Sequence, residues 1–155
     1  MSYDLYLVDL GPGSDLVTAL ATLDEARPPG PDLVAKMRKI VAALDNDGYE
    51  YNDTGTQILN ERLGATVDIA EPGATVNIAY WHRGEDARKA MASVIGLAGA
   101  IQQVTGWSLY DPQSDRLDPM LSELQVGASA EMDRVTRWAD QNIRGTKRPW
   151  WRFWG

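Results

Sequence analysis

Residues 74–118 constrain the fold more than any other stretch of the chain. Residues 74–81 alternate between apolar and polar side chains, the pattern of a half-buried strand. Residues 84–104 place apolar side chains three and four positions apart, which predicts an amphipathic helix that stops at Gly106. A short aromatic run follows at residues 107–111. The stretch therefore predicts a β-α-β unit with a deeply buried helix.

Upstream, the sequence predicts one strand and two helices. Residues 3–9 alternate as a strand does. Ser14 is a suitable N-cap for a helix over residues 15–26, and Pro31 at the first helical position starts a second helix over residues 32–44.

In the middle and at the end of the chain, some segments predict one structure and others fit more than one. Residues 65–80 predict a β-hairpin around a Pro-Gly break. Residues 57–63 fit either a short strand or a turn of helix, and the pattern leaves this open. Residues 119–129 are ambiguous, whereas residues 130–143 predict a helix.

The order strand, helices, strand, strand, helix, strand predicts an α+β fold. Two right-handed crossovers around a hairpin give a ferredoxin-like split βαβ arrangement, an antiparallel sheet with helices on one face. Residues 1–118 would form this domain. Residues 119–155 would add a C-terminal helix and a basic, aromatic tail that packs on the domain or extends from it.

Composition excludes several kinds of site. The chain of 155 residues has no cysteine, so disulfides, thiolate metal sites and cysteine nucleophiles are excluded. No secretory signal is visible, and the longest apolar run is too short to span a membrane, so we expect a cytoplasmic protein.

No catalytic or cofactor motif stands out. His82 is the only histidine, so a histidine-based metal site is not expected. Residues 45–48 differ from a calcium loop because their glycine comes at the fourth position instead of the sixth. Residues 11–14 match neither the P-loop nor the dinucleotide-binding pattern. We therefore expect no metal, no cofactor and no enzymatic activity.

Charge is unevenly distributed along the chain. The net charge is −7, yet residues 134–155 contain six basic side chains and one acidic side chain. The remaining body is strongly acidic, which favours basic protein partners and opposes nucleic acid and anionic membranes.

The tail combines aromatic and basic residues. Trp150, Trp151 and Trp154 lie close to Lys147 and Arg148. Such a segment suits a partner's groove, a membrane interface or single-stranded nucleic acid, and it also suits folding back onto the domain's own apolar surface.

Two short motifs carry a family resemblance. The chain opens Met1-Ser-Tyr-Asp-Leu and ends its predicted last strand with Tyr110-Asp-Pro-Gln. In both it resembles a loose group of small bacterial proteins, some of which look like acidic proteins encoded beside toxin genes. The resemblance implies an immunity protein and supplies no catalytic residues.

Together these observations predict a non-enzymatic binding protein that neutralises a basic bacterial toxin. One alternative is a ligand-binding or enzymatic domain that uses the open sheet face around Tyr80, His82, Trp107 and Tyr110. Another is a peripheral adaptor that acts through residues 147–155. The oligomeric state stays open. The predicted partner contacts are Asp45, Asp47, Glu50, Asp53, Asp111, Asp115, Asp118, Trp150, Trp151 and Trp154.

Overall fold

The computed structural model describes residues 2–143, without the side chains of Asp45, Ala139, Asp140, Asn142 and Ile143. The elements in chain order are β1 (Ser2–Val8), α1 (Leu16–Leu23), α2 (Pro31–Ala43), a 3-10 turn (Asp45–Asp47), β2 (Glu50–Tyr51), β3 (Gln57–Asn60), β4 (Ala65–Ile69), β5 (Gly73–Ala79), α3 (Gly84–Thr105), β6 (Ser108–Asp111), β7 (Arg116–Leu117) and α4 (Leu121–Ile143).

Across residues 2–143, seven strands form one sheet in the order β2-β3-β4-β5-β1-β6-β7. Every neighbouring pair is antiparallel, so the fold is α+β, as predicted. Of the segment left open by the sequence, Gln57–Asn60 is a strand that pairs with both β2 and β4, and the residues that follow form a turn.

One face of the sheet forms the core. Along β1, Tyr3, Leu5 and Leu7 are buried, whereas the residues between them are partly exposed. The buried face of α3 lies in the same core and includes Met91 and Ile101, both fully enclosed. Helix α3 ends at Gly106, whose φ of 72° is a left-handed conformation that glycine adopts without steric cost.

Helix α4 joins this core from the C-terminal side. It packs along α3, and its residues Leu124, Ala128 and Met132 belong to the core cluster. Within residues 2–143, no helix has both the length and the apolar composition that crossing a bilayer requires.

Helix α1 departs from the predicted arrangement of helices on one face. It contacts β1, but its one buried residue, Ala19, lies outside the main core cluster, as does Val8 of β1. Side chains alternate along a strand, so Val8 points to the face opposite Leu7. Helix α1 therefore covers one end of the second face, while α2, α3 and α4 share the core.

One local prediction is wrong, one strand was missed, and one helix begins within a stretch that the sequence left open. The N-cap of α1 is Asp15, not Ser14, because the Asp15 carboxylate accepts a hydrogen bond from the Thr18 N–H at 2.8 Å. Strand β7 was not predicted. Helix α4 begins at Leu121, nine residues before the predicted start at Ala130.

Two glycine-to-alanine substitutions should have opposite effects on stability. A Cβ at Gly73 would overlap the Leu7 carbonyl oxygen and the Leu23 side chain. We expect Gly73→Ala to lower the free energy of unfolding by about 1–3 kcal/mol. Gly96, exposed within α3, has nothing within 4 Å of such a Cβ, so Gly96→Ala should raise it by about 0.5–1 kcal/mol. Urea denaturation measures the change in the free energy of unfolding for each variant. If both variants changed it in the same direction, the proposed steric role of Gly73 would be wrong.

Candidate functional site

The two motifs of the family resemblance meet in space. The Tyr3 hydroxyl donates a hydrogen bond to Asp111 Oδ2 at 2.8 Å, although 108 residues separate them in sequence. Asp111 is only 2 % exposed and also accepts from the Ser114 hydroxyl at 2.6 Å and the Gln113 N–H at 3.0 Å. Three donors thus surround a buried carboxylate, which offsets the cost of its burial.

Gln113 strengthens this link between β1 and the turn after β6. With its amide nitrogen turned toward the nearby acceptors, its side chain donates to Asp111 Oδ1 and to the Asp4 carbonyl oxygen, both at 2.9 Å. The structure therefore corrects the prediction that Asp111 is an exposed partner contact. Its carboxylate holds the turn together instead.

A cleft of about 490 Å³ lies beside this cluster, between β1, the β6–β7 turn and α4. Its arginines already have partners. Arg116 pairs with Glu123 at 3.4 Å, and Arg134 pairs with Glu131 at 2.5 Å. Its serine, Ser114, has no imidazole beside it to act as a base, because the only histidine lines a different cleft. The described residues of this cleft thus contain no serine–histidine pair.

Burial raises the pKa of Tyr3 far above its ordinary value, and the hydrogen bond to Asp111 and the negative charge of Asp111 raise it further. The phenol therefore stays protonated and remains a donor. We expect Tyr3→Phe to lower the free energy of unfolding by about 1–3 kcal/mol, because a buried charged acceptor loses one donor. Thermal or urea denaturation would measure the loss.

The matched control is Tyr6→Phe on the same strand. Tyr6 lies on the other face, and its hydroxyl makes no hydrogen bond within residues 2–143. This control should change stability by less than about 0.5 kcal/mol. Equal losses in the two variants would show that the Tyr3–Asp111 bond is not what stabilises the turn.

Within residues 2–143, the second face of the sheet is covered by helix α1 at one end and is open over the rest of its width. Strand register aligns its side chains in two rows across the sheet. One row contains Glu50, Leu59, Thr66, Asn77 and Asp4, and the other contains Gln57, Asp68, Thr75, Tyr6, Tyr110 and Leu117. These eleven residues, none of them buried, are called the open face below.

The charged side chains of the open face are all acidic: Asp4, Glu50 and Asp68. Two of them are held by hydrogen bonds. Asn77 donates to Asp4 at 2.5 Å, and Gln57 donates to Asp68 at 2.7 Å. The open face thus presents fixed acceptors around the neighbouring aromatic rings of Tyr6 and Tyr110.

The predicted acidic contacts do not form one patch. Asp47, Glu50 and Asp53 lie at the β2 edge of the sheet, whereas Asp115 and Asp118 lie at the β7 edge. Six strand spacings separate these edges, roughly 29 Å. The side chain of Asp45 and the whole of Trp150, Trp151 and Trp154 lie outside the part of the chain that the structure describes.

At the β7 edge, both exposed acids have structural contacts. Asp115 accepts from the Tyr110 hydroxyl at 2.9 Å. Asp118 accepts from the Leu109 N–H and from the Gln102 side chain, each at 2.8 Å, and so ties β6 to the end of α3. Only Glu50 among the predicted acids belongs to the open face.

The residues predicted to line a ligand site on the open face are also dispersed. Tyr80 and Trp107 are each 8 % exposed and belong to the core cluster, so their predicted place on the open face is wrong. His82 lies in a separate cleft beside α3, and only Tyr110 is on the open face. Among the described residues, no group of three or more acidic or histidine side chains is arranged to hold a metal ion.

Comparison of the chain with protein-family models, with curated proteins and with solved structures finds no match.

Proposed function

We propose that the protein binds a basic protein partner through the open face and neutralises it, as an immunity protein does for a toxin. The observation that carries this proposal is the charge of the open face. Its ionic side chains are all carboxylates, and no lysine or arginine of the described strands shares that face with them. A basic surface is the complement of such a face.

The charge of the whole body supports the same partner class. All 22 acidic residues, but only 11 of the 15 basic ones, lie within residues 1–143, because four basic residues follow. The body therefore carries a net charge of −11. A field of this size accelerates encounter with a cationic protein and slows encounter with an anionic one.

The open face also supplies apolar contact area. Tyr6 and Tyr110 are cross-strand neighbours, and Leu117, next to Tyr110 in the register, is 45 % exposed. Interface centres are typically aromatic and apolar with a polar surround. The aromatic row would provide binding free energy, and the surrounding carboxylates would provide orientation and association rate.

Inhibition on this proposal is steric. The partner's active surface is covered when it docks, so the protein needs no catalytic group of its own. The proposal places the protein in the cytoplasm, where such a toxin would otherwise act. On this proposal, β1, β4, β5 and β6 form a ferredoxin-like core. Strands β2, β3 and β7 extend its sheet into a broad docking surface.

Charge reversal on the open face should slow association with the proposed basic toxin. We expect Glu50→Lys with Asp68→Lys to reduce the association rate about tenfold or more and to weaken its dependence on salt. Stopped-flow mixing over a series of ionic strengths measures both.

The control makes the same change in net charge outside the open face, by Asp32→Lys with Glu61→Lys. Both residues are exposed. This variant should retain most of the association rate and of its salt dependence. Equal slowing by the two variants would remove the open face from the interface, and failure of the toxin to bind the unaltered protein would remove the proposed function.

A further inference from the structure

A second cleft, of about 480 Å³, lies between the 3-10 turn, the β3–β4 turn and the first half of α3. It is called the His82 cleft below. The polar and charged residues that line it are Asp47, Arg62, His82, Asp86, Lys89 and Ser93.

Hydrogen bonds fix the walls of the His82 cleft. Asn60, only 1 % exposed, donates to the Asp47 carbonyl oxygen at 2.8 Å and accepts from the Leu63 N–H at 3.1 Å. The His82 ring contacts the Leu63 carbonyl oxygen at 3.1 Å, and Thr136 of α4 donates to the His82 carbonyl oxygen at 3.2 Å. The cleft is therefore held open by the fold and does not need a ligand to form it.

Four charged side chains of the cleft lack ionic partners. In the part of the chain that the structure describes, Arg62, Lys89, Asp47 and Asp86 form no ion pair, and the one hydrogen bond of the Arg62 guanidinium is donated to the Asp47 carbonyl oxygen, at 3.3 Å. Elsewhere in the described part of the chain, four arginines pair with nearby acids: Arg88 with Glu85, Arg116 with Glu123, Arg134 with Glu131 and Arg137 with Asp133. The exposed Arg27 and Arg38, like Arg62, form no ion pair among the described residues.

The arrangement of these charges defines the ligand they would suit. One wall carries Asp47 and Arg62, and the other, α3, carries Asp86 and Lys89. A simple anion would be attracted by two of these groups and repelled by the other two, and the same holds for a simple cation. A small molecule that carries both charges satisfies all four.

We propose that the His82 cleft binds a free α-amino acid. Its carboxylate lies between Arg62 and Lys89, where a guanidinium provides paired donors. Its ammonium group lies between Asp47 and Asp86. This site is independent of the open face, and its ligand is a small molecule and not a protein.

His82 provides a direct report on occupancy. A carbonyl oxygen only accepts hydrogen bonds, so the ring nitrogen beside Leu63, Nε2, carries a proton. Because His82 is the only histidine of the chain, its imidazole gives a single set of NMR signals. A ligand in the cleft changes the surroundings of that ring and shifts those signals.

The test titrates the full-length protein with each common α-amino acid and follows the imidazole signals of His82. Each amino acid that binds is then compared with its N-acetyl and its carboxamide derivatives, which keep the side chain and lose one charge each. We expect saturable shifts with one or a few amino acids and binding at least roughly tenfold weaker for both derivatives. No shift with any amino acid, or equal binding of a derivative, overturns the proposal.

Variants locate the site. Lys89→Gln, at a side chain with no hydrogen bond or ion pair to another described residue, and Arg62→Gln should each weaken binding by roughly tenfold. Lys39→Gln removes an exposed charge on α2 and should leave binding unchanged. If Lys39→Gln weakens binding as much as Lys89→Gln, the amino acid responds to overall charge and the proposed site is wrong.

Discussion

The pairing of β1 with both β5 and β6 is the constraint on which the rest of the structure depends. Seven residues of β1 pair with β5 and three pair with β6. Strand β1 therefore joins strands β2–β5 on one side of the sheet to β6 and β7 on the other. A slip of one residue would turn Tyr3, Leu5 and Leu7 out of the core. The same register brings the Tyr3 hydroxyl to Asp111, so a buried hydrogen bond and a hydrophobic face select one alignment.

Helix α3 was predictable because many residues specify it. The buried apolar stripe of α3 extends from Ala87 to Ile101, about four turns, and the left-handed Gly106 marks the end of the helix. Strand β7 has two residues and shows no periodicity at all. Ser14 and Asp15 are equally good capping residues, and only the geometry of the turn selects Asp15. Gly127 weakens helix propensity early in α4, but packing of Leu124 and Ala128 on the core overrides it.

The candidate sites were less predictable because they depend on contacts between distant residues. Asp47 and Asp115 lie in similar polar, turn-forming segments, yet strand order places them at opposite edges of the sheet. Tyr80 and Trp107 have side chains that suit either a binding surface or a core, and both are buried in the core cluster. The His82 cleft gathers charges from residues 47–89, and nothing in their spacing along the chain reveals that they share one cavity.

The open face and the His82 cleft use charge in different ways. The carboxylates of the open face share one sign, so their field extends from the surface until salt screens it, within about 8 Å at physiological ionic strength. In the cleft, cations and anions balance, so their field cancels at a distance and acts only on a molecule already inside. The first arrangement suits rapid capture of a large, oppositely charged surface. The second suits selection of a small molecule by the positions of its charges. Salt weakens these short-range interactions far less than it weakens the field of the open face.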